Sequence, residues 1–182
     1  MATSATIFKA ELIISDMDRN YYQTHMLTLA RHPSETDERM MVRILAFALN
    51  ADEHLTFTKG LSNDDEPDLW LKNFSDEIEL WIDLGQPDER RMKKACGRAR
   101  QVIVYCYNSR ACDVWWGQMQ HKVTRFKNLK IVKICDDVSR QLVDLTKRTM
   151  RLQCTVQDGT VWLADETQSI QVDLQVLKNQ DS

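Results

Sequence analysis

Two short apolar segments, each carrying one aspartate, most strongly constrain the fold of this 182-residue chain. Pro67 and Asp68 open one strand-like run, and Asp83 lies fifteen residues after Asp68, near the end of a second run. In that second run, Ile78 to Leu84, apolar and polar residues alternate, and this period of two predicts a strand with two different faces. If the two strands are neighbours in a sheet, Asp68 and Asp83 lie close together.

A basic helix is predicted directly after the second strand. Pro87 suits its first position, because the fixed φ of proline matches a helix and its missing N–H is not needed there. Four cations follow: Arg90, Arg91, Lys93 and Lys94. Two carboxylates with a cation nearby are what metal-dependent phosphodiester cleavage requires.

Length and composition predict a single domain over residues 1–182, in a cytoplasmic protein. The chain is long enough to bury a sizeable core, and its three prolines and five glycines leave few places for a domain boundary. Charges interrupt every apolar window near the start, which excludes a signal peptide there. The longest apolar runs, Ile44 to Leu49 and Val102 to Tyr107, are too short to span a bilayer.

Cysteine and histidine spacing argues against disulfides and zinc. The five cysteines form no CxxC pair, and their odd number predicts reduced, buried thiols. The four histidines have no HxxxH or HxH spacing. A divalent cation bound by oxygen ligands is therefore the metal chemistry that this sequence leaves open.

The charges are divided between two adjoining segments. Residues 52–89 contain twelve acidic and two basic residues, whereas residues 90–133 contain twelve basic residues and one acidic residue. One interpretation is that the two segments are neighbours in space and neutralise each other. The other is a basic surface, Arg90 to Lys133, that follows a nucleic-acid backbone beside an acidic metal pocket. The sequence favours neither interpretation.

Hairpins are predicted at both ends of the chain. Alternation from Phe8 to Ile14 predicts a strand that turns within Asp16 to Asn20 and pairs with a second strand through Leu27 and Leu29. Near the other end, Asp158-Gly159 is a strong hairpin signal. Between these hairpins, apolar residues at helical and strand spacing predict a mixed α/β fold.

Two further boundaries follow from local patterns. Ser34 is the predicted N-cap of the first helix, since acidic residues occupy the turn that follows it. Clean alternation from Ile170 to Val176 predicts one last strand.

The predicted order of a helix, a strand, a Pro-Asp strand, an Asp-ending strand, a basic helix and a central strand resembles the core of the PD-(D/E)xK nuclease superfamily. The whole chain is similar to the YaeQ family of bacterial proteins. That similarity is carried by the segments RHPSETDERMMVR, PDLW, LWIDLGQPDERRMKKACGRA and YNS. The resemblance implies a single compact α/β (mixed α+β) domain with a nuclease-like core and additional β hairpins at both ends. Membership of the family implies no activity by itself.

Carried over residue by residue, the superfamily pattern implies a site for Mg²⁺ or Mn²⁺ held by Asp68 and Asp83. Glu38 or Glu35 matches a glutamate of the first core helix that often assists. The superfamily lysine, two residues after the second carboxylate, is replaced here by Gly85.

A lysine from the next helix supplies the missing cation in some members of the superfamily. Lys94 and Lys93 are the candidates here, and Lys94 is preferred because it shares a helix face with Arg98. The implied catalytic set is therefore Asp68, Asp83, Lys94 and Glu38.

Two functions are compatible with these residues. One is a magnesium-dependent nuclease with an altered active-site motif. The other is a non-catalytic binding or regulatory module that contacts nucleic acid or protein through Arg90 to Lys133. They differ in whether an amine from Lys93 or Lys94 converges on the two aspartates. In a purely structural arrangement, Asp83 pairs with the basic helix and the lysines are solvated.

Overall fold

The computed structural model describes residues 4–59, 64–135 and 137–181, which form two compact units. The first unit contains the described residues up to Leu49 together with Asp137–Asp173. The second contains those from Asn50 to residue 135 and from Leu174 onward. The predicted mixture of α and β structure is confirmed, and the single domain over residues 1–182 stays a prediction.

The described residues contain eleven strands and four α-helices. The strands are β1 (Thr6–Asp16), β2 (Tyr21–Arg31), β3 (Leu55–Phe57), β4 (Leu69–Lys72), β5 (Ile78–Leu84), β6 (Ala99–Cys106), β7 (Leu129–Ile134), β8 (Thr149–Gln157), β9 (Thr160–Ala164), β10 (Ser169–Val172) and β11 (Leu174–Lys178). The helices are α1 (Asp37–Leu49), α2 (Glu89–Arg98), α3 (Ser109–Met119) and α4 (Val138–Gln141), and a 3₁₀ turn (Leu142–Leu145) follows α4. None of these helices is long and apolar enough to cross a membrane.

The first unit is built on a five-stranded sheet in the order β10-β9-β8-β1-β2. Strands β1 and β2 form the predicted antiparallel hairpin, and β1 also pairs in parallel with β8. Alternate residues of β1 are buried, which confirms the predicted period of two: Phe8, Ala10, Leu12 and Ile14. The hairpin predicted at Asp158-Gly159 joins β8 to β9, and both turn residues have positive φ, 51° and 76°.

Helix α1 begins later than the predicted cap at Ser34. The backbone N–H of Arg39 donates to the Thr36 hydroxyl at 3.1 Å, and Thr36 therefore satisfies the first turn. Ser34 instead belongs to the preceding turn, where its backbone N–H donates to His32 Nδ1 at 3.1 Å. The Ser34 prediction is wrong because two neighbouring hydroxyl residues compete for one cap position.

The second unit is built on a six-stranded sheet in the order β11-β7-β6-β5-β4-β3. Strands β5, β6 and β7 run parallel, and helices α2 and α3 connect them. Both helices pack on one apolar cluster with this sheet, which includes Trp81, Met92, Val104, Trp115 and Leu129. Antiparallel pairing of β4 with β5 places the segment after Asp68 beside the segment before Asp83.

Two predicted boundaries in this part of the chain are wrong. Pro87 lies before α2 rather than at its first position, because the Asp88 side chain caps the helix through the backbone N–H of Arg91 at 2.8 Å. The single strand predicted from Ile170 to Val176 is two strands, β10 and β11, which belong to different sheets. Asp173 separates them, and the apolar alternation continues across it without a change of phase.

Candidate functional site

Of the two aspartates of the predicted site, Asp83 lies on β5 and Asp68 lies directly before the neighbouring strand β4. The Asp68 backbone N–H donates to Ile82 O at 3.0 Å, and the Leu84 N–H donates to Asp68 Oδ2 at 2.9 Å. The Asp68 carboxylate therefore bonds to the residue that follows Asp83. Both aspartates are almost fully buried, with relative exposures of 6% for Asp68 and 2% for Asp83. Strand pairing accordingly brings the two carboxylates together, as the sequence predicted.

The cation that contacts Asp83 is Arg91, a residue of α2. Its Nε lies 2.8 Å from Asp83 Oδ2, and its Nη2 lies 3.0 Å from Asp83 Oδ1. A guanidinium that donates to both oxygens of one carboxylate is a strong, directional contact. Arg91 Nη2 also donates to Glu66 O at 2.9 Å, and Arg91 Nη1 lies 3.5 Å from Asp64 O. One side chain thus joins β5, α2 and residues 64–66.

Burial and neighbouring charges shift the pKa values of this pair. Burial raises the pKa of Asp83 above its ordinary value, and the charge of Asp68 raises it further. Hydrogen bonds and charge from Arg91 act in the opposite direction without reversing the shift. Partial burial works against the charged form of Arg91, but the hydrogen bond and charge of Asp83 raise its pKa overall. Arg91 is therefore charged throughout the range in which Asp83 titrates.

Lys94, the preferred catalytic cation, binds elsewhere. Its amine pairs with the Asp65 carboxylate, and this contact lowers the pKa of Asp65. Arg98 donates to Asp65 O at 2.6 Å from the same face of α2. Lys93 is exposed and has no ion pair with any residue in the described ranges. The amine convergence that would support catalysis is therefore replaced by the guanidinium of Arg91.

The structure shows why Arg91, rather than a lysine of α2, contacts Asp83. Arg91 lies four residues before Ala95, which is fully buried, and it therefore lies over the inner face of α2. Its backbone N–H also bonds to the cap residue Asp88, which places it in the first turn, close to the end of β5. The cap position and the burial of Ala95 thus place Arg91 beside Asp83, whereas the sequence gave Lys94 and Lys93 as the candidate cations, with Lys94 preferred.

Gly85, which stands at the motif lysine position, has a conformational role. Its φ is +96°, a region that side chains with a Cβ rarely adopt. Its N–H donates to Tyr105 O at 2.8 Å and extends the β5–β6 pairing by one residue. A lysine at this position would therefore strain the backbone.

Glu35 and Glu38 belong to the first unit, and their described partners lie within it. Glu38 accepts a hydrogen bond from the Ser139 hydroxyl at 2.8 Å. Glu35 is buried between two arginines of α1, with Arg39 Nη1 at 2.8 Å and Arg43 Nη2 at 2.5 Å. The role that the resemblance implies for Glu38 stays a prediction.

The side of α2 that carries Arg91 borders a polar cavity of about 490 Å³. The residues that line it are Asp64, Asp65, Asp88, Arg90, Arg91 and Lys94. Acidic and basic side chains contribute equally to this wall, which suits a polar ligand better than an apolar one.

The described residues do not fit a divalent cation as they are arranged. Both oxygens of Asp83 bond to Arg91, and one oxygen of Asp68 accepts a backbone N–H. Within residues 4–59, 64–135 and 137–181, no group of three or more His, Cys, Asp or Glu side chains is placed to hold a metal ion. The arrangement suits a guanidinium, and the metal site at Asp68 and Asp83 stays a prediction.

Ion pairs connect the acidic and basic segments of the second unit. Besides the Arg91–Asp83 and Lys94–Asp65 pairs, Arg100 lies 3.4 Å from Glu79 and Arg125 lies 2.8 Å from Glu89. These contacts favour mutual neutralisation, the first of the two interpretations of the charge pattern. Other cations of the basic segment have no carboxylate partner among the residues that the structure describes: Arg90, Lys93, Arg110, Lys122, Lys127 and Lys130.

Fold and site together define a class: a two-sheet α+β protein with one buried aspartate on a strand, a second directly before the adjacent strand, and an arginine that binds the first. The chain belongs to the YaeQ family, because the family model described as YaeQ protein matches residues 1–174. The family prediction is confirmed.

Relatives of the chain support the family and the fold. It is 51% identical over 174 residues to the YaeQ proteins of Salmonella typhi and Escherichia coli K12, covering 96% of each, and both are named as uncharacterised proteins. The crystal structure of YaeQ from Xanthomonas axonopodis pv. citri matches with a TM-score of 0.93 at 47% identity, over 98% of this chain and 100% of that one. That of YaeQ from Pseudomonas syringae matches with a TM-score of 0.92 at 37% identity, over 97% of both chains.

Proposed function

We propose that this protein is a non-catalytic nucleic-acid-binding module that keeps the carboxylate pair of a PD-(D/E)xK-like core. Arg91 holds Asp83 where a metal-dependent nuclease would use a divalent cation. The observation that carries the proposal is the two-point contact between the Arg91 guanidinium and both oxygens of Asp83, at 2.8 and 3.0 Å.

The physical reason is competition for the same oxygens. A magnesium ion needs carboxylate oxygens that are free to coordinate it. The Arg91 guanidinium satisfies both oxygens of Asp83 and also bonds to Glu66 O at 2.9 Å, so its removal would break several contacts together. A bound arginine supports the fold around the two aspartates but activates no water.

The proposed ligand is the phosphate backbone of nucleic acid. The cations that lack carboxylate partners among the described residues carry the attraction, because Lys and Arg release counterions when they neutralise phosphates. They come from α2 and from the segment that runs from α3 into β7: Arg90, Lys93, Arg110, Lys122, Lys127 and Lys130. The net charge of the whole chain is −3, so the attraction is local to this surface.

A second candidate is a metal-dependent nuclease in which Mg²⁺ or Mn²⁺ binds Asp68 and Asp83 after Arg91 moves away. The adjacent, buried carboxylates favour this second candidate. Burial and the charge of Asp68 destabilise the negative charge of Asp83, and the pKa of Asp83 is raised for that reason. A cation there would stabilise that charge.

Calorimetric titration with Mg²⁺ and Mn²⁺ separates the two candidates. We expect no binding by the wild type, and weak Mn²⁺ binding by Arg91→Ala, because that substitution frees both oxygens of Asp83. Asp68→Asn/Asp83→Asn is the control that lacks both carboxylates. Wild-type binding that disappears in this double variant would overturn the non-catalytic proposal and favour the nuclease.

Fluorescence anisotropy with labelled DNA and RNA tests whether nucleic acid binds to this surface. We expect wild-type affinity to fall steeply between about 50 and 200 mM salt, and Lys122→Glu/Lys127→Glu to weaken binding about tenfold at low salt. Lys9→Glu/Lys147→Glu makes the same change of charge in the first unit and should leave binding unchanged. Equal effects of both double variants, or no binding by the wild type, would exclude this surface as a nucleic-acid site.

A further inference from the structure

The two sheets have four edge strands, and three of them are poorly suited to pair with another strand. An edge strand exposes a row of backbone N–H and C=O groups that can bind a further strand, unless it is short, bulged or charged. Strand β10 has four residues and β3 has three. Strand β11 has a register irregularity between Val176 and Lys178, and it carries the charge of that lysine. Strand β2 is neither short nor bulged, and its one Lys, Arg, Asp or Glu residue is Arg31 at its last position.

Strand β2 is long and regular, and it is uncharged from Tyr21 to Ala30. It contains eleven residues and pairs with β1 at every position from Tyr21 to Arg31, without a bulge. No Lys, Arg, Asp, Glu or Pro occurs between Tyr21 and Ala30. Natural edge strands of this length normally carry such residues to prevent association.

The hydrogen bonds of β1 show which backbone groups of β2 face outward. Lys9 N donates to Arg148 O at 2.9 Å, on the β8 side, so Lys9 directs its backbone groups away from β2. Its cross-strand partner is Thr28, which therefore directs its own N–H and C=O away from β1. The alternation of an antiparallel pair gives the full outward set: Tyr22, Thr24, Met26, Thr28 and Ala30.

Most of this outward row has no hydrogen-bond partner in the part of the chain that the structure describes. Ala30 O accepts from Arg43 Nη2 at 3.2 Å. The outward groups of the other four residues of the set have no such contact. Their side chains are exposed as well, by 53% for Tyr22 and 77% for Met26. A second strand could therefore approach this edge without displacing existing contacts.

We propose that β2 is a dimer interface, where it pairs antiparallel with β2 of a second copy of this chain. An antiparallel pair of identical strands has two-fold symmetry, which is the symmetry of most protein dimers. One register places Tyr22 opposite Thr28 of the second copy and Thr24 opposite Met26. Each of these pairs exchanges two backbone hydrogen bonds and joins the two five-stranded sheets into one.

A second copy fits this edge better than a flexible peptide does. Because β1 pairs along the whole of β2, both partners of the dimer are already extended, and association orders little additional backbone. The absence of charge from Tyr21 to Ala30 removes the repulsion that identical charged edges would feel. The exposed Tyr22 and Met26 side chains add apolar contacts across the junction.

Sedimentation velocity of the full chain over a range of concentrations tests the proposal. We expect the wild type to reach twice its monomer mass of 21.3 kDa. Thr24→Pro removes one outward N–H and leaves the bonds to β1 intact, so it should remain at the monomer mass with an unchanged circular dichroism spectrum. The matched control Thr24→Ala keeps that N–H and should dimerise like the wild type.

Hydrogen exchange provides a second measurement that needs no variant. The amides of Tyr22, Thr24, Met26 and Thr28 should exchange more slowly as the wild-type concentration rises. A wild type that stays monomeric at every concentration would overturn the proposal. A Thr24→Pro variant that folds and still dimerises would also overturn it, because the interface would then lie elsewhere. If Thr24→Pro does not fold, the wild type alone decides: hydrogen exchange of these amides that does not depend on protein concentration would overturn the proposal.

Discussion

Both units of the molecule contain a buried carboxylate that arginine side chains bind from a helix, and Glu35 in the first unit differs from Asp83 in the second in what its cluster connects. Glu35 binds Arg39 and Arg43, which follow it in the sequence by four and eight residues. Asp83 binds Arg91, which also reaches residues 64 and 66, more than twenty positions earlier. The first cluster joins α1 to the end of β2, because Arg43 Nη2 also donates to Ala30 O at 3.2 Å, whereas the second joins a strand, a helix and a loop.

The two carboxylates also differ in how well their charge is compensated. Two guanidiniums face Glu35. Asp83 has a single guanidinium and lies beside Asp68, whose charge helps to raise its pKa. Groups with shifted pKa values are concentrated at functional sites. This difference is why the proposed function rests on Asp83 and Arg91 rather than on Glu35.

The largest effect is expected from Glu35→Ala. The substitution leaves two partly or fully buried guanidiniums without their carboxylate, so the free energy of unfolding should fall by about 3–5 kcal/mol. Urea denaturation measures this loss of free energy of unfolding. Glu38→Ala is the control, because it removes one hydrogen bond from Ser139 and should cost about 1 kcal/mol. A smaller loss for Glu35→Ala than for this control would contradict the structural role of Glu35.

A smaller effect is expected from Arg91→Ala. The Arg91 side chain is 27% exposed, and Asp83 can take up a proton, so the loss should be about 2 kcal/mol. The amides of residues 64–66 should exchange faster, because Arg91 holds two of their carbonyl groups. Lys93→Ala, on the exposed face of α2, should change neither the free energy of unfolding nor the exchange rates of these amides. Unchanged exchange in Arg91→Ala would show that Arg91 does not hold this loop.

The smallest effect is expected in the pH dependence of stability. Because the pKa of Asp83 is higher in the folded chain than its ordinary value of 3.8, the folded state binds its proton more tightly. The Asp83 contribution is therefore fully present below pH 3.8 and is lost as pH rises through the raised pKa. Asp83→Asn removes this contribution. The free energy of unfolding of the wild type, relative to that of the variant, should thus fall as pH rises through that window. Urea titrations at several pH values measure this difference. A rise with pH would contradict the direction of the Asp83 pKa shift.

Local patterns predicted the strands and their pairing better than the boundaries of the helices. Alternation identified β1 and β5, and Asp158-Gly159 identified a hairpin, because each depends on neighbouring residues alone. The change of sheet at Asp173 could not be predicted. The side chains of β10 and β11 keep one alternating phase, and only tertiary pairing decides which sheet each strand joins.

The carboxylates of the site could be predicted, but the cation could not. Strand order placed Asp68 beside Asp83. Helical spacing told which cations of α2 share a face, but not which face turns toward β5. Burial of Met92 and Ala95 decides that orientation, and it selects Arg91 in preference to Lys94.

The parallel pairing of β1 with β8 has a consequence for how this chain folds during synthesis. Arg148 bonds to Ile7 O across a separation of 141 residues, so the first sheet cannot close until most of the chain has left the ribosome. The parallel core of the second sheet, β5 to β7, is complete within residues 78–134. We therefore expect the β5–β7 core of the second unit to form first, while the hairpin of β1 and β2 waits for β8 and stays accessible to chaperones.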